Sequence, residues 1–104
     1  MKDNQQVFRE CGPGWEKLIF PLTEKANLEN ATILQIKEKF GGLRFYVSGG
    51  SEELYDMIDK AEDESLRTCE MCGAPGKLMK KGGWYKTVCA DDALSLGYKT
   101  RVQT

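Results

Sequence analysis

The chain has 104 residues, of which 40% are hydrophobic and 30% charged, so it is long enough for one domain with a modest hydrophobic core and too short for two. Fifteen lysines and arginines against 16 acidic residues give a formal net charge of -1, and no overall charge draws the chain to nucleic acid or to an anionic membrane. The sequence has no histidine, which excludes hydrolytic triads and His-based metal catalysis. No window contains the roughly 18 apolar residues that a membrane span requires. The start MKDNQQVFRE also lacks the apolar segment of a signal peptide, so we expect a cytoplasmic protein.

The first half of the chain predicts a helix followed by a β-hairpin. Apolar residues recur with helical spacing from about 13 to 29, although Pro21 inside this pattern should kink the helix or divide it into two pieces. The runs ATILQIKEKF (31 to 40) and LRFYVS (43 to 48) are rich in β-branched and aromatic residues, which are typical of strands. The two glycines at 41 and 42 permit positive φ and should form the turn between these strands.

The second half predicts another helix and a ribbon. Ser51 is a good N-cap, and the acidic and apolar residues after it favour a helix from about 52 to 66. Beyond it, two cysteines on a glycine-rich turn, a short strand, a KGG turn and a second strand have the layout of a zinc ribbon. We therefore expect one α+β domain over 1 to 104, with a helix, hairpin and helix core at 10 to 66 and a zinc-ribbon-like subdomain at 67 to 98.

The cysteines of the ribbon have the spacing of a metal site. Cys69 and Cys72, in the string TCEMCG, have the C-x2-C-G spacing of a zinc knuckle. Cys89 follows after residues 73 to 88, a separation typical of the return to the second half of such a site. We predict that these three cysteines hold one structural zinc ion, because the absence of a secretory signal argues against disulfides.

The sequence leaves the fourth ligand open. The residue at x2 spacing after Cys89 is Asp92, and a carboxylate oxygen is an accepted zinc ligand. Asp91, a water molecule or Cys11 are the alternatives. Three thiolates with Asp92 would close the coordination and make the site structural.

Cations and aromatic residues are interleaved in IKEKFGGLRFY and in GGWYK. Cations beside aromatic faces can grip a phosphate and stack a base. The same alternation is typical of the exposed face of a hairpin, and both interpretations stay open. No nucleophile with a base partner is apparent, so we predict no catalytic residue and no enzyme. The candidate ligand-binding residues are Lys37, Lys39, Arg44, Phe45, Tyr46, Trp84, Tyr85 and Lys86.

The strings CGPGW, IKEKFGGLRFY, TCEMCGAPGK and GGWYKTVC occur in this order and resemble the signature of a family of small zinc-ribbon-like proteins from phages, prophages and their bacterial hosts. The resemblance covers most of residues 10 to 93. Members of that family usually have His where this chain has Asp92, so the resemblance supports this position as the fourth ligand.

This resemblance implies a small zinc-binding accessory protein, encoded by a phage and acting in the cytoplasm of the bacterial host. Its expected role is host takeover or counter-defence, either by inhibiting a host protein or by sequestering a nucleotide signal. We also expect a homo-oligomer that covers an apolar face of the ribbon. The alternative is a nucleic-acid-binding zinc-ribbon regulator that uses Lys80, Lys81, Trp84, Tyr85 and Lys86.

Overall fold

The structure is a computed structural model that describes residues 7 to 100. This part of the chain contains three helices and two small sheets. This architecture confirms the predicted α+β class. One sheet has the strand order β1, β2, β3 and the other β5, β4, β6. In chain order the elements are β1 (Arg9–Glu10), a 3-10 turn (Pro13–Trp15), α1 (Glu16–Leu28), β2 (Thr32–Lys39), β3 (Gly42–Ser48), α2 (Glu52–Ser65), β4 (Lys77–Lys81), β5 (Trp84–Val88), α3 (Ala90–Leu96) and β6 (Lys99–Thr100).

The main hydrophobic core lies between the two long helices and the first sheet. Strands β2 and β3 form the predicted antiparallel hairpin, and the short β1 pairs parallel to β2. Helix α2 begins as predicted, since the Ser51 side chain accepts a hydrogen bond from the Leu54 N–H at 3.2 Å. The buried apolar residues of this core are Trp15, Ile19, Leu22, Ala26, Ala31, Ile33, Ile36, Leu43, Phe45, Leu54, Ile58 and Ala61.

Helix α1 does not divide at Pro21. It runs without a break over Glu16–Leu28, and the 3-10 turn lies before it. Pro21 itself is exposed, whereas Ile19 and Leu22 are buried in the core. The packing of the buried face therefore holds the helix together despite the one hydrogen bond that a proline removes.

The turn of the first hairpin lies one residue earlier than the glycine pair indicated. Lys39 pairs with Gly42, which leaves Phe40 and Gly41 as the two turn residues. Both have positive φ, 53° for Phe40 and 84° for Gly41. Two central residues with positive φ define a type I′ turn, whose twist matches the twist of the flanking strands.

The second sheet belongs to the ribbon, where β4 and β5 form the predicted hairpin. The structure adds β6, which pairs with β4, and the short helix α3. A separate small cluster of buried residues, Cys69, Met79, Val88 and Ala93, lies between these elements. Within residues 7 to 100, no helix is long and apolar enough to cross a membrane.

The CGPGW segment joins the ribbon to the main core. The indole N–H of the buried Trp15 donates to the Thr68 carbonyl at 2.8 Å, and the Gly14 N–H donates to the Glu70 carbonyl at 2.7 Å. Gly14 has no room for a side chain, because a Cβ there would lie 2.2 Å from the Cys69 carbonyl oxygen. The residues just before α1 thus pack directly against the cysteine turn.

Candidate functional site

Three thiols and one carboxylate converge where the cysteine turn meets the start of α3. The ligand atoms of Cys69, Cys72, Cys89 and Asp92 all lie within 4.8 Å of one another. The Asp92 carboxylate is 3.1 Å from the Cys69 sulfur and 3.2 Å from the Cys89 sulfur, and the sulfurs of Cys72 and Cys89 are 3.7 Å apart. A tetrahedral ion with metal-sulfur bonds of about 2.3 Å and a metal-oxygen bond of about 2.0 Å would separate two sulfurs by about 3.8 Å, and a sulfur and an oxygen by about 3.5 Å. The four side chains could therefore hold one metal ion with small adjustments.

Local backbone structure positions both halves of this cluster. The Cys69 N–H donates to the Ala74 carbonyl at 2.7 Å, and the Gly73 N–H donates to the Cys69 carbonyl at 2.9 Å, which closes the turn that carries Cys69 and Cys72. Cys89 is the N-cap of α3, and its sulfur accepts from the Asp92 N–H at 3.5 Å. Because residues three apart lie on one side of a helical turn, Asp92 faces the same point as Cys89.

The electrostatics of the cluster also suit a cation. Hydrogen bonds from the thiols of Cys69, Cys89 and Cys72 hold the pKa of the Asp92 carboxyl below its usual value. The Asp92 N–H lowers the pKa of Cys89, but the neighbouring carboxylate and partial burial outweigh it, so this pKa lies above its usual value. A bound cation would replace the shared protons, since metal ligands bind in their deprotonated forms.

The two protein alternatives for the fourth ligand lie elsewhere. Asp91 is exposed, and neither it nor Cys11 belongs to the cluster. Cys11 packs against the main core as a half-buried side chain. Burial, together with the carboxylates of Glu70 and Glu16, raises the pKa of the Cys11 thiol to about 11. Of the candidates on this chain, Asp92 is the one that the fold brings to the three cysteines.

Sequence reasoning missed Glu70, which lies between the two cysteines of the turn and is only 3% exposed. Its carboxylate accepts from the Gly12 N–H at 2.8 Å and from the Lys86 ammonium at 3.0 Å. Burial lowers the pKa of Lys86, but the hydrogen bond to Glu70 outweighs that effect and places this pKa above its usual value. Lys86, a predicted ligand-binding residue, therefore serves an internal ion pair. A single acidic residue in a motif gives no sign of such a long-range partner.

The other candidate residues of the first hairpin have several environments. Phe45 lies in the main core at 3% exposure, so its ring offers no surface to a ligand. The Lys37 ammonium is 5.9 Å from the centre of the Tyr46 ring, and Lys37 pairs across the strands with Arg44. The Arg44 guanidinium donates to the carbonyl of Leu43 at 3.3 Å. These three side chains lie on the hairpin away from its turn, and their binding role stays a prediction.

The turns of the two hairpins meet and enclose a groove of about 270 Å³. This groove contains three of the predicted residues, Lys39, Trp84 and Tyr85. It also contains Phe40, which the sequence interpretation omitted, and both Phe40 (67% exposed) and Trp84 (75% exposed) present their rings to solvent. The lining residues are Glu38, Lys39, Phe40, Gly83, Trp84 and Tyr85.

Comparisons with known proteins do not place the chain in a family. No family model, curated protein or solved structure matches it. Its own residues define the class: a small α+β protein with a cluster of three cysteines and one aspartate that could bind a metal.

Proposed function

We propose that this is a small zinc-stabilised accessory protein that acts by binding a partner. The observation that carries the proposal is the convergence of Cys69, Cys72, Cys89 and Asp92. Thiolate-rich tetrahedral sites suit zinc, and carboxylate oxygen is also within its usual ligand set. Four protein ligands leave no open position for a substrate, so the ion is structural and not catalytic.

The ribbon needs such a cross-link because its own hydrophobic cluster is small. Among residues 7 to 100, its buried apolar centre consists of Cys69, Met79, Val88 and Ala93, with the partly buried Cys89 and Tyr98 packed against it. Short strands with so little apolar surface are marginal in water, and bound zinc supplies folding free energy directly. The metal thus keeps the second hairpin in place.

The proposed biological role is that of a phage-type protein in host takeover or counter-defence. Its support is the resemblance carried by CGPGW, IKEKFGGLRFY, TCEMCGAPGK and GGWYKTVC. The contact of Gly14 with Glu70 gives a physical reason for the first and third strings to occur together. The partner would be a host protein or a small nucleotide ligand, and the groove with Phe40 and Trp84 is the surface available to it.

Metal analysis of the freshly purified protein tests the zinc site. Native mass spectrometry of protein prepared without added zinc should show about one zinc ion per chain, as the ligand count requires. Asp92→Ala should lose this zinc to a chelator much faster than the unmodified protein, whereas the matched variant Cys11→Ser should retain it. A metal-free protein with reduced thiols, or equal zinc loss in the two variants, would contradict the proposed site.

A further inference from the structure

We infer that Cys72 is a site of oxidative modification, where a peroxide joins Cys72 to Cys89 in a disulfide and so releases the proposed zinc ion. This inference rests on the proposed function and names a form of its regulation. The three cysteines of the cluster differ in their exposure to solvent. Cys69 is fully buried, Cys89 is half-buried and Cys72 is exposed. An oxidant in solution therefore meets the sulfur of Cys72 first.

A second thiol lies within reach of the exposed one. The sulfurs of Cys72 and Cys89 are 3.7 Å apart, and a disulfide bond is about 2.05 Å long, so a movement of about 1.7 Å would join them. Cys89 also borders a cavity of about 420 Å³, so packing does not enclose this residue on every side. Cysteines that sense oxidants are typically exposed and lie beside such a resolving thiol.

Coordination would prepare the exposed thiol for oxidation. A thiol that binds a metal ion is present as the thiolate, and the thiolate is the nucleophile in reactions of cysteine. Cys11 lacks this activation, because it lies outside the cluster and packs half-buried against the main core. Cys69 would be a thiolate too, but its burial shields it from solvent. Coordination and exposure together therefore single out Cys72.

The proposed oxidation removes two electrons from the two sulfurs. The Cys72 thiolate attacks one oxygen of hydrogen peroxide, which forms an S–O bond, breaks the O–O bond and releases hydroxide. The Cys89 thiolate then attacks the Cys72 sulfur, which forms the S–S bond and expels a second hydroxide. Two thiolates are thereby oxidised, one peroxide is reduced, and the two hydroxides take up protons to become water.

Loss of these two thiolates would leave Cys69 and Asp92 as the remaining candidate ligands. One thiolate and one carboxylate do not fill the four positions of a structural zinc site, so the ion should leave. The Cys89 sulfur also accepts the Asp92 N–H at 3.5 Å as the N-cap of α3. Its movement towards Cys72 would weaken this cap. Oxidation would thus exchange a metal cross-link for a disulfide and loosen the start of α3.

Native mass spectrometry of the zinc-loaded protein, before and after treatment with hydrogen peroxide, tests the inference. Peroxide should release the zinc and lower the number of thiols that iodoacetamide labels after denaturation from four to two. Dithiothreitol with added zinc should restore both. Tryptic digestion identifies the pairing, because residues 68 to 77 contain Cys69 and Cys72, whereas residues 87 to 99 contain Cys89. The disulfide should join these two peptides through Cys72.

Two variants separate oxidation of the thiol from metal binding. Cys72→His supplies a zinc ligand that has no thiol, so this variant should keep its zinc in peroxide. Met71→Leu is the matched control, because Met71 is the exposed neighbour that peroxide can also oxidise. It should release zinc at the same rate as the unmodified protein.

Several results would overturn the inference. They are zinc retention by the unmodified protein in peroxide, a disulfide confined to residues 68 to 77, or oxidation of Cys72 to the sulfinic acid while Cys89 stays a free thiol. Equal zinc loss in Cys72→His and the unmodified protein would do the same. If Cys72→His does not bind zinc, the pairing of the two peptides decides alone. Protein that is purified without zinc and with reduced thiols contradicts the proposed function instead, so the two failures are distinguishable.

Discussion

Substitution of Gly14 by alanine should damage the cysteine turn from outside the candidate metal site. A Cβ on Gly14 would lie 2.2 Å from the Cys69 carbonyl oxygen, 2.5 Å from the Gly73 nitrogen and 2.7 Å from the Glu70 carbonyl carbon. All three are backbone atoms, so a change of side-chain rotamer cannot relieve the clash. Either the turn or the CGPGW segment must move, and the hydrogen bond from the Gly14 N–H to the Glu70 carbonyl is lost with it.

The expected cost is about 3 kcal/mol, at the upper end of the range for overpacking, because main-chain atoms must shift. An unfolding entropy of about 2.1 cal/mol/K per residue gives about 220 cal/mol/K for a chain of 104 residues. Division of the two values predicts that Tm falls by about 14 °C. The proposed zinc ion should also be released more readily, because the displaced turn carries two of the four candidate ligands.

Thermal unfolding of the zinc-loaded protein, followed by circular dichroism, measures the first effect. Competition with a chromogenic chelator measures the second. Gly83→Ala is the matched control, since a Cβ on Gly83 would have no atom within 4 Å, and this change should leave Tm and zinc retention nearly unaltered. If Gly14→Ala shifted Tm no more than Gly83→Ala, the CGPGW segment would not be packed against the cysteine turn as described.

Three further changes test the contacts around this junction. Glu70→Gln should lower the free energy of unfolding, measured in urea, by about 2 kcal/mol. Lys86→Gln should cost less stability in the Glu70→Gln protein than in the unmodified protein, whereas equal costs in the two would exclude the ion pair. Trp15→Phe should cost at least about 2 kcal/mol, because it leaves a cavity and removes the donor to the Thr68 carbonyl, and a loss below about 0.5 kcal/mol would contradict the buried indole. At pH 8 the Cys11 thiol should react with iodoacetamide about 100-fold more slowly than an ordinary thiol of pKa 9.0, since a pKa of about 11 leaves little thiolate. Alkylation at the ordinary rate would show that Cys11 is not in this half-buried, acidic environment.

The elements that could be predicted are those whose signals are local. The hairpin and α2 follow from strand alternation and from the Ser51 cap, and both form, although the turn of the hairpin lies one residue earlier than the two glycines indicated. Strands β1 and β6 have two residues each, too few for a periodic pattern, and they exist because neighbouring strands offer hydrogen bonds. Helix α3 has Cys89 as its N-cap. The sequence pattern indicated a candidate metal ligand at this position, so it gave no separate signal for the start of a helix.

The site was predictable where spacing alone defines it and not where distant segments meet. Cys69, Cys72 and Cys89 have recognisable spacing, and the same spacing offered Asp92 as one of several candidates for the fourth position. The groove is different, because Phe40 and Trp84 become neighbours only when the two hairpins dock. Sequence alternation identified aromatic and basic segments, but it could not show which side chains point outwards together.

One buried residue connects the cluster of three cysteines and Asp92 to the groove. The carbonyl of Thr87 accepts a hydrogen bond from the Glu70 N–H at 2.9 Å, between the two cysteines of the turn, while its hydroxyl holds the Gly41 carbonyl of the first hairpin. Cys89 follows Thr87 by two residues, so a metal bound to that thiol would fix the end of β5. An ion bound by this cluster would therefore help to set the separation of Phe40 and Trp84 without contacting either residue. This dependence is a physical reason for the cysteine strings and the aromatic strings to occur on one short chain.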